Sequence, residues 1–390
     1  MIFSVLLLAA IFTVENINHR FWLNDFKVYY GAVHAFLDGT PVYGTLYSLG
    51  SGYYKYSPFT ILLVLPVCLL PYNIASVIQY FILSFSILCL FLVSGYIINK
   101  YLFGDSIKKR NWLLGIAFVC VINHLVRELH LGNINVVLLL LLCLSLFFNL
   151  KSKYILSGIL LAVVIITKPF FILLILPLLL RKNYRTIESF GVSIFVFVLS
   201  PALFIGFREN IELHKEWLHT LLEHNSSFPS NNTIESLVKL YVSPNLPSSF
   251  QFYVMIAACV GYVIFFFVNR SKERKFPGDK ERITKNFIIE WFVLIAIMPS
   301  LFKTDTQHFL LSLPLVMILL VYAATSKKYF LLASFSILIF MYGGNSSDMV
   351  GKHFSERMNE AGVLGISNLM IVFFTILFYF RSLMRPVQMR

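Results

Sequence analysis

Charge is scarce in this chain: only 13% of its 390 residues are Asp, Glu, Lys or Arg, about half of what a soluble domain carries. A water-soluble enzyme is excluded. Strict alternation of apolar and polar residues is also missing. Runs such as VVLLLLLCLSLFF, residues 136 to 148, are continuously apolar, which argues against an outer-membrane barrel. The five Cys, at 68, 89, 120, 143 and 259, form no CxxC and no Cys/His cluster of ligand spacing, so neither a disulfide framework nor a zinc site is read. The first residues lack a basic n-region and run into Glu15 and Asn16 rather than a small-residue cleavage site. They read as a short first span and not as a signal peptide. No internal repeat and no low-complexity linker divides the chain. A single polytopic membrane domain over residues 1–390 is expected.

What is present is apolar: 58% of residues are hydrophobic and the mean hydropathy is +0.77. Several runs approach the ~20 residues that a helix needs to cross a ~30 Å hydrocarbon layer. They predict an all-α integral membrane protein, a multi-span helical bundle. Candidate spans lie near 1–14, 74–97, 112–126, 131–150, 154–167, 169–180, 187–206, 250–268, 286–302, 307–324, 328–343 and 362–380, about twelve transmembrane helices. Pro58 to Tyr72 resists the count, because three prolines disturb a regular helix there; it reads as either re-entrant or a full span.

The net charge of +13 is informative through its sidedness. With the N-terminus in the cytoplasm, 21 of the 32 Lys and Arg fall inside and 11 outside. The inner set includes Lys108, Lys109, Arg110, Lys151, Lys153, Arg181, Lys182, Arg185, the stretch Arg270 to Lys285, Lys327, Lys328, Arg381, Arg385 and Arg390. The charge thus reports orientation, with both termini cytoplasmic, and not nucleic-acid binding. Glu290, near the basic inner loop, reads as an interfacial ion-pair partner. Three segments remain polar enough to lie outside the membrane on the outer face: 15–57, 207–249 and 344–361.

Those outer ends hold the residues that could carry chemistry. Asp25 precedes Phe26, Tyr29, Tyr30, Val33, Phe36 and Leu37, whose spacing predicts an interfacial amphipathic helix. Asp25 either caps that helix or serves as a general base towards a bound hydroxyl. Lys168 is the only charged residue between Tyr154 and Leu180; such a cation either snorkels to headgroups or pairs with an anion, of which a lipid phosphate is one. Arg127 either grips a phosphate or pairs with Glu128 or a headgroup. His308 opens a span after a short outer turn, as an interface residue or a catalytic one. Asp305 beside it either orients that imidazole or competes with Asp25 as the base.

The order of short motifs resembles a known family. Asp25, Tyr29-Tyr30, Phe36-Leu37-Asp38-Gly39 and Tyr43, followed by Tyr54-Lys55-Tyr56-Ser57-Pro58, resemble the opening of the GT-C glycosyltransferases, in particular glycosyltransferase family 87. Gly132-Asn133-Ile134-Asn135 is similar to a Gly-Gln-x-Asn element, Lys168-Pro169 to a Lys-Pro element, and Asn231-Asn232-Thr233-Ile234 to an Asn-Gln-Ser-Leu element. Pro299-Ser300 with Gln307-His308 resembles a Pro-x-Ser-Trp…His-His element, without the Trp and with Gln for one His. The resemblance covers roughly residues 20 to 315.

It implies a GT-C-like bundle with interfacial helices on the outer face of the plasma membrane. It also implies transfer of a hexose, mannose or one similar, from a polyprenyl-phosphate donor to a lipid-linked or envelope glycan acceptor, with inversion. Asp25 would be the catalytic base and Lys168, His308 and Arg127 would bind the donor phosphate. Tyr29, Lys55, Tyr56, His130, Asn133, Asn135 and Asn232 would bind substrate. No cofactor is expected; the absence of a nearby Asp-x-Asp element argues against an obligatory metal. Two other readings compete: a lipid-linked saccharide flippase or transporter, and an O-antigen polymerase or ligase using a lipid diphosphate.

Overall fold

Helices satisfy their own backbone in hydrocarbon, and the computed structural model of the chain is about 82% helical. It describes residues 2–18, 21, 23–50, 52–104, 112–227, 230–247, 249–275, 278–326 and 329–383. His19, Lys108, Lys109, Arg110, Lys327, Lys328, Arg385 and Arg390 lie outside the described residues. In chain order the helices are α1 (Ile2–Ile17), α2 (Asn24–Asp38), α3 (Pro58–Cys68), α4 (Tyr72–Ile97), α5 (Trp112–Cys120), α6 (Ile122–Leu131), α7 (Asn135–Leu150), α8 (Tyr154–Thr167), α9 (Ile175–Leu180) and α10 (Tyr184–Leu199). They continue with α11 (Ala202–Ile205), α12 (Phe207–Ser227), α13 (Ile234–Tyr241), α14 (Phe250–Arg274), α15 (Lys280–Leu301), α16 (Leu313–Ser326), α17 (Tyr329–Gly343), α18 (Ser347–Val350), α19 (Lys352–Glu360) and α20 (Val363–Leu383). A small hairpin, β1 (Leu46–Ser48) and β2 (Gly52–Tyr53), is antiparallel with Leu46 opposite Tyr53.

Among the described residues, six segments are long and apolar enough to cross a membrane: Tyr72–Leu102, Tyr184–Ile205, Phe250–Arg274, Lys280–Leu301, Thr306–Thr325 and Val363–Phe380. This is an all-α membrane protein. Three sequence readings change. The run 112–126 is not one straight helix; it bends by 64° at Val121, between α5 and α6. The run 169–180 begins as a 3-10 turn, Pro169–Leu174, before α9. Pro58 to Tyr72 forms α3, an 11-residue helix with Pro58 in its first turn and Pro66 inside it. At 1.5 Å per residue it is about 16 Å long, half of what a crossing requires.

The described residues fall into two compact units: Met1–Val93 with Leu125–Phe228, and Ser94–His124 with Pro229–Arg390. In the first, α2 forms where the apolar spacing predicts it and buries Phe26, Val28, Tyr29, Ala32, Val33, Ala35 and Phe36. Leu37 is instead exposed, at the edge of the buried stripe in the last turn of the helix. These residues share a core with Tyr43, Tyr54 and Ile61, and with Trp217 of α12. Trp217 Nε1 donates to the Lys55 carbonyl at 3.2 Å. In the second unit, α15 and α16 are the most enclosed helices. There Asn368 Nδ2 donates to the Ala296 carbonyl and to Ser300 Oγ, both at 2.9 Å. Glu290 is wholly buried in α15 and accepts from Asn269 Nδ2 at 3.0 Å.

The aromatic return segment is tied by phenols. Tyr43 Oη donates to the Tyr56 carbonyl at 2.7 Å, and Tyr54 Oη to the Ser57 carbonyl at 3.2 Å. Burial holds the phenols of Tyr29, Tyr43 and Tyr54 well above their ordinary range. Above pH about 10 the unfolded chain gives up these protons while the folded chain keeps them, so stability is full below that pH and falls as pH rises. In an alkaline titration followed by phenolate absorbance, these three are expected to ionise only together with loss of structure.

Candidate active site

The site is built on the turn between α6 and α7. Gly132 has φ +70°, a left-handed conformation that favours glycine. Its N–H donates to the Leu129 carbonyl at 3.3 Å and that of Asn133 to the Glu128 carbonyl at 3.1 Å, the Schellman pattern that ends a helix. Gln79 Nε2 holds the Gly132 carbonyl at 3.1 Å. A Cβ at Gly132 would lie 2.9 Å from Phe26 Cβ and 3.0 Å from Leu23 Cβ. Gly132→Ala is therefore expected to cost about 2 kcal/mol from the left-handed backbone alone, more with the steric clash, visible as a lowered thermal midpoint in detergent.

This turn delivers two asparagines whose amides are used on both sides. Asn133 Nδ2 donates to Asp25 Oδ2 at 2.6 Å, and Asn133 Oδ1 accepts from the Asn135 N–H at 3.2 Å. Asn135 Nδ2 donates to Glu128 Oε1 at 2.5 Å, and Asn135 Oδ1 accepts from Lys168 Nζ. An amide is the side chain that can give and receive at once, which is why asparagines link carboxylates to an ammonium here. Asp25 lies in the first turn of α2 but is not its N-cap, a position held by Leu23. Its charge is favoured by the helix N-terminus.

Lys168 is placed by its neighbour. Pro169 restricts the residue before it to extended backbone, and Lys168, at φ −133° and ψ 95°, closes α8 in that conformation. Its side chain is 7% exposed and its Nζ stands 5.5 Å from the centre of the Tyr56 ring, a cation–π distance. A buried ammonium is tolerated only with such partners. Glu128 is 0% exposed, and it lies within electrostatic reach of both Lys168 and Asp25. Tyr29, 2% exposed, sits beneath the cluster with its hydroxyl 3.0 Å from that of Tyr56.

The structure thus brings Asp25, Tyr29, Tyr56, Asn133, Asn135 and Lys168 into one bonded cluster of the first unit. His130 Nδ1 is 3.0 Å from Glu15 Oε2. Arg127 is exposed, next to the buried Glu128 on α6. Lys55 is half-buried. In the second unit, Asn232 is buried and its Oδ1 accepts from the Gly365 N–H at 3.1 Å, a contact that fastens its loop to α20. His308 is 9% exposed, and the Asp305 carboxylate beside it accepts from Gln307 Nε2 at 3.4 Å.

Glu128 is the member that the sequence reading left out. The signal was its register: on α6 it shares a buried face with His124, Leu125 and Leu129, so a carboxylate there had to be solvated by protein. Among the described residues no group of three or more His, Cys, Asp or Glu could hold a metal ion.

Comparison with known proteins bears on what such a cluster does. A model of glycosyltransferase family 87 matches residues 54–278, more than half of the chain. The chain belongs to glycosyltransferase family 87. The match begins at Tyr54 and takes in Lys55, Tyr56, the Gly132 turn, Lys168 and Asn232. An alpha-(1->3)-arabinofuranosyltransferase of Corynebacterium glutamicum is 27% identical over 201 residues, covering 52% of this chain and 45% of that protein. The chain therefore spans less than half the length of that relative.

Proposed function

We propose that this family 87 enzyme transfers a sugar from a polyprenyl monophosphate to a hydroxyl of a lipid-linked or envelope glycan, in one displacement. The observation that carries the reading is the shared amide network that holds a half-buried carboxylate, Asp25, and a buried ammonium, Lys168. In the reaction, the acceptor O–H gives its proton to Asp25 as its oxygen attacks the anomeric carbon. The bond from that carbon to the phosphate oxygen breaks, and the lipid phosphate leaves with the electron pair beside Lys168. Attack opposite the leaving group inverts the anomeric carbon. Arg127 and His308 are proposed as further contacts for the donor phosphate, and Lys55, Tyr56, His130 and Asn232 for the substrates.

A lipid donor accounts for polar groups gathered at one end of apolar helices: its tail stays in hydrocarbon and its phosphate meets cations at the interface. We place that interface on the extracytoplasmic face of the cell membrane, with about twelve crossings and both termini in the cytoplasm, as the charge asymmetry supports. For the sugar, mannose or a similar hexose is the first reading. The name of the corynebacterial relative makes arabinofuranose the second. Family membership favours sugar transfer over the flippase reading. A lipid-diphosphate donor, as a polymerase or ligase would use, is separated by experiment.

Membranes containing the protein would be given polyprenyl-phosphate-mannose or polyprenyl-phosphate-arabinofuranose, each labelled in the sugar, with total envelope lipid and glycan as acceptor. Transfer from a monophosphate, absent without the protein, supports the proposal. Transfer only from a lipid diphosphate or a nucleotide sugar overturns it.

A further inference from the structure

Resting on the proposal that Lys168 meets the donor phosphate, we infer that Glu128 is a positioning residue which, through Asn135, fixes where the Lys168 ammonium stands. An ionised carboxylate only accepts hydrogen bonds, whereas an amide can present either of its faces. By taking Asn135 Nδ2 at 2.5 Å, Glu128 leaves Asn135 only its oxygen to turn towards Lys168, and that oxygen is where Lys168 Nζ donates. If the amide were flipped, an N–H would face the ammonium, donor against donor.

Glu128 is itself held firmly enough to impose this choice. It is wholly buried, its Oε2 accepts from the Val136 N–H at 3.4 Å, and its main-chain carbonyl takes the Asn133 N–H at 3.1 Å. One residue thus grips both asparagines of the turn, Asn133 by its backbone and Asn135 by its side chain. Its carboxyl group also lies within electrostatic reach of Lys168. Asn135, on this view, acts on Lys168 and not on the sugar.

The test is binding of polyprenyl phosphate, the departing group without its sugar, to the purified full-length protein in nanodiscs, with thermal midpoints recorded for every variant. Glu128→Gln, whose amide can face either way, is expected to weaken binding by about tenfold; in a Lys168→Met background the same change is expected to add less than about twofold, because the residue acts through Lys168. Asn135→Ala cuts the same link one residue nearer and is expected to show the same loss and the same dependence on Lys168. It carries the test if Glu128→Gln does not fold. Undiminished binding by Glu128→Gln or Asn135→Ala, while Lys168→Met still binds weakly, overturns the role of Glu128 and leaves the proposed function standing. An equal loss with and without Lys168 also overturns it. Failure of the wild type to bind polyprenyl phosphate saturably overturns both.

Discussion

Replacing Asp25 by Asn is expected to lower sugar transfer by about 10³-fold, within the span usual for loss of a general base, while the protein stays folded. The substitution is nearly isosteric, and the new amide oxygen can still accept from Asn133 Nδ2, which now meets the carboxylate at 2.6 Å. What is lost is the ability to take a proton from the acceptor hydroxyl. Stability should change little, since removing one charge from the first turn of α2 costs about 0.3–1 kcal/mol. The check is initial rate at saturating donor, with protein amount and thermal midpoint matched between the two forms. A rate within threefold or so of wild type, less than general-base loss produces, would assign the proton transfer elsewhere. Asp305 would then be next, although its carboxylate is engaged by Gln307.

Lys168→Met is expected to reduce transfer by about 10²–10³-fold, the scale for removing one preorganised electrostatic contact to a developing anion. Methionine keeps most of the aliphatic stem and so the packing, which separates loss of charge from loss of volume. The same variant leaves Asn135 Oδ1 without its ammonium and Glu128 with less positive charge nearby, so a modest fall in thermal midpoint is expected as well. Lys168→Arg should recover only part of the activity. Its planar fork cannot occupy the position of a compact ammonium over the Tyr56 ring without displacing the Asn135 oxygen. Equal transfer by wild type and Lys168→Met would remove the phosphate-binding role.

These two residues were legible in the sequence for definite reasons. Asp25 precedes an apolar stripe of helical period, and α2 forms over that stripe. Lys168 is a solitary cation before a proline, and the proline is what turns it out of α8. Gly132 was read only as part of a motif, inside the run 131–150; its positive φ instead ends α6 there. Glu128 was hidden because a charge count credits every acid near a span end to the interface, whereas a buried acid is recognised only from the residues that share its face. The outer segment 207–249 looked merely polar, yet 21 of its residues form α12. That helix buries Trp217 in the core of the first unit and exposes Phe207, Ile211, Leu218 and Leu222, apolar residues that a hydropathy average cancels against the intervening charges. The break at Val121 escaped notice for a similar reason: both sides of it are apolar, so no window signals that one run is two helices.

The most direct test of the account is the anomeric configuration of the product formed from a donor of known anomer, read by nuclear magnetic resonance on a single purified glycan. Base catalysis by Asp25, with the lipid phosphate departing beside Lys168, predicts inversion at the anomeric carbon. Retention would contradict it, because two displacements would then be required and the carboxylate at the heart of the site would be a nucleophile.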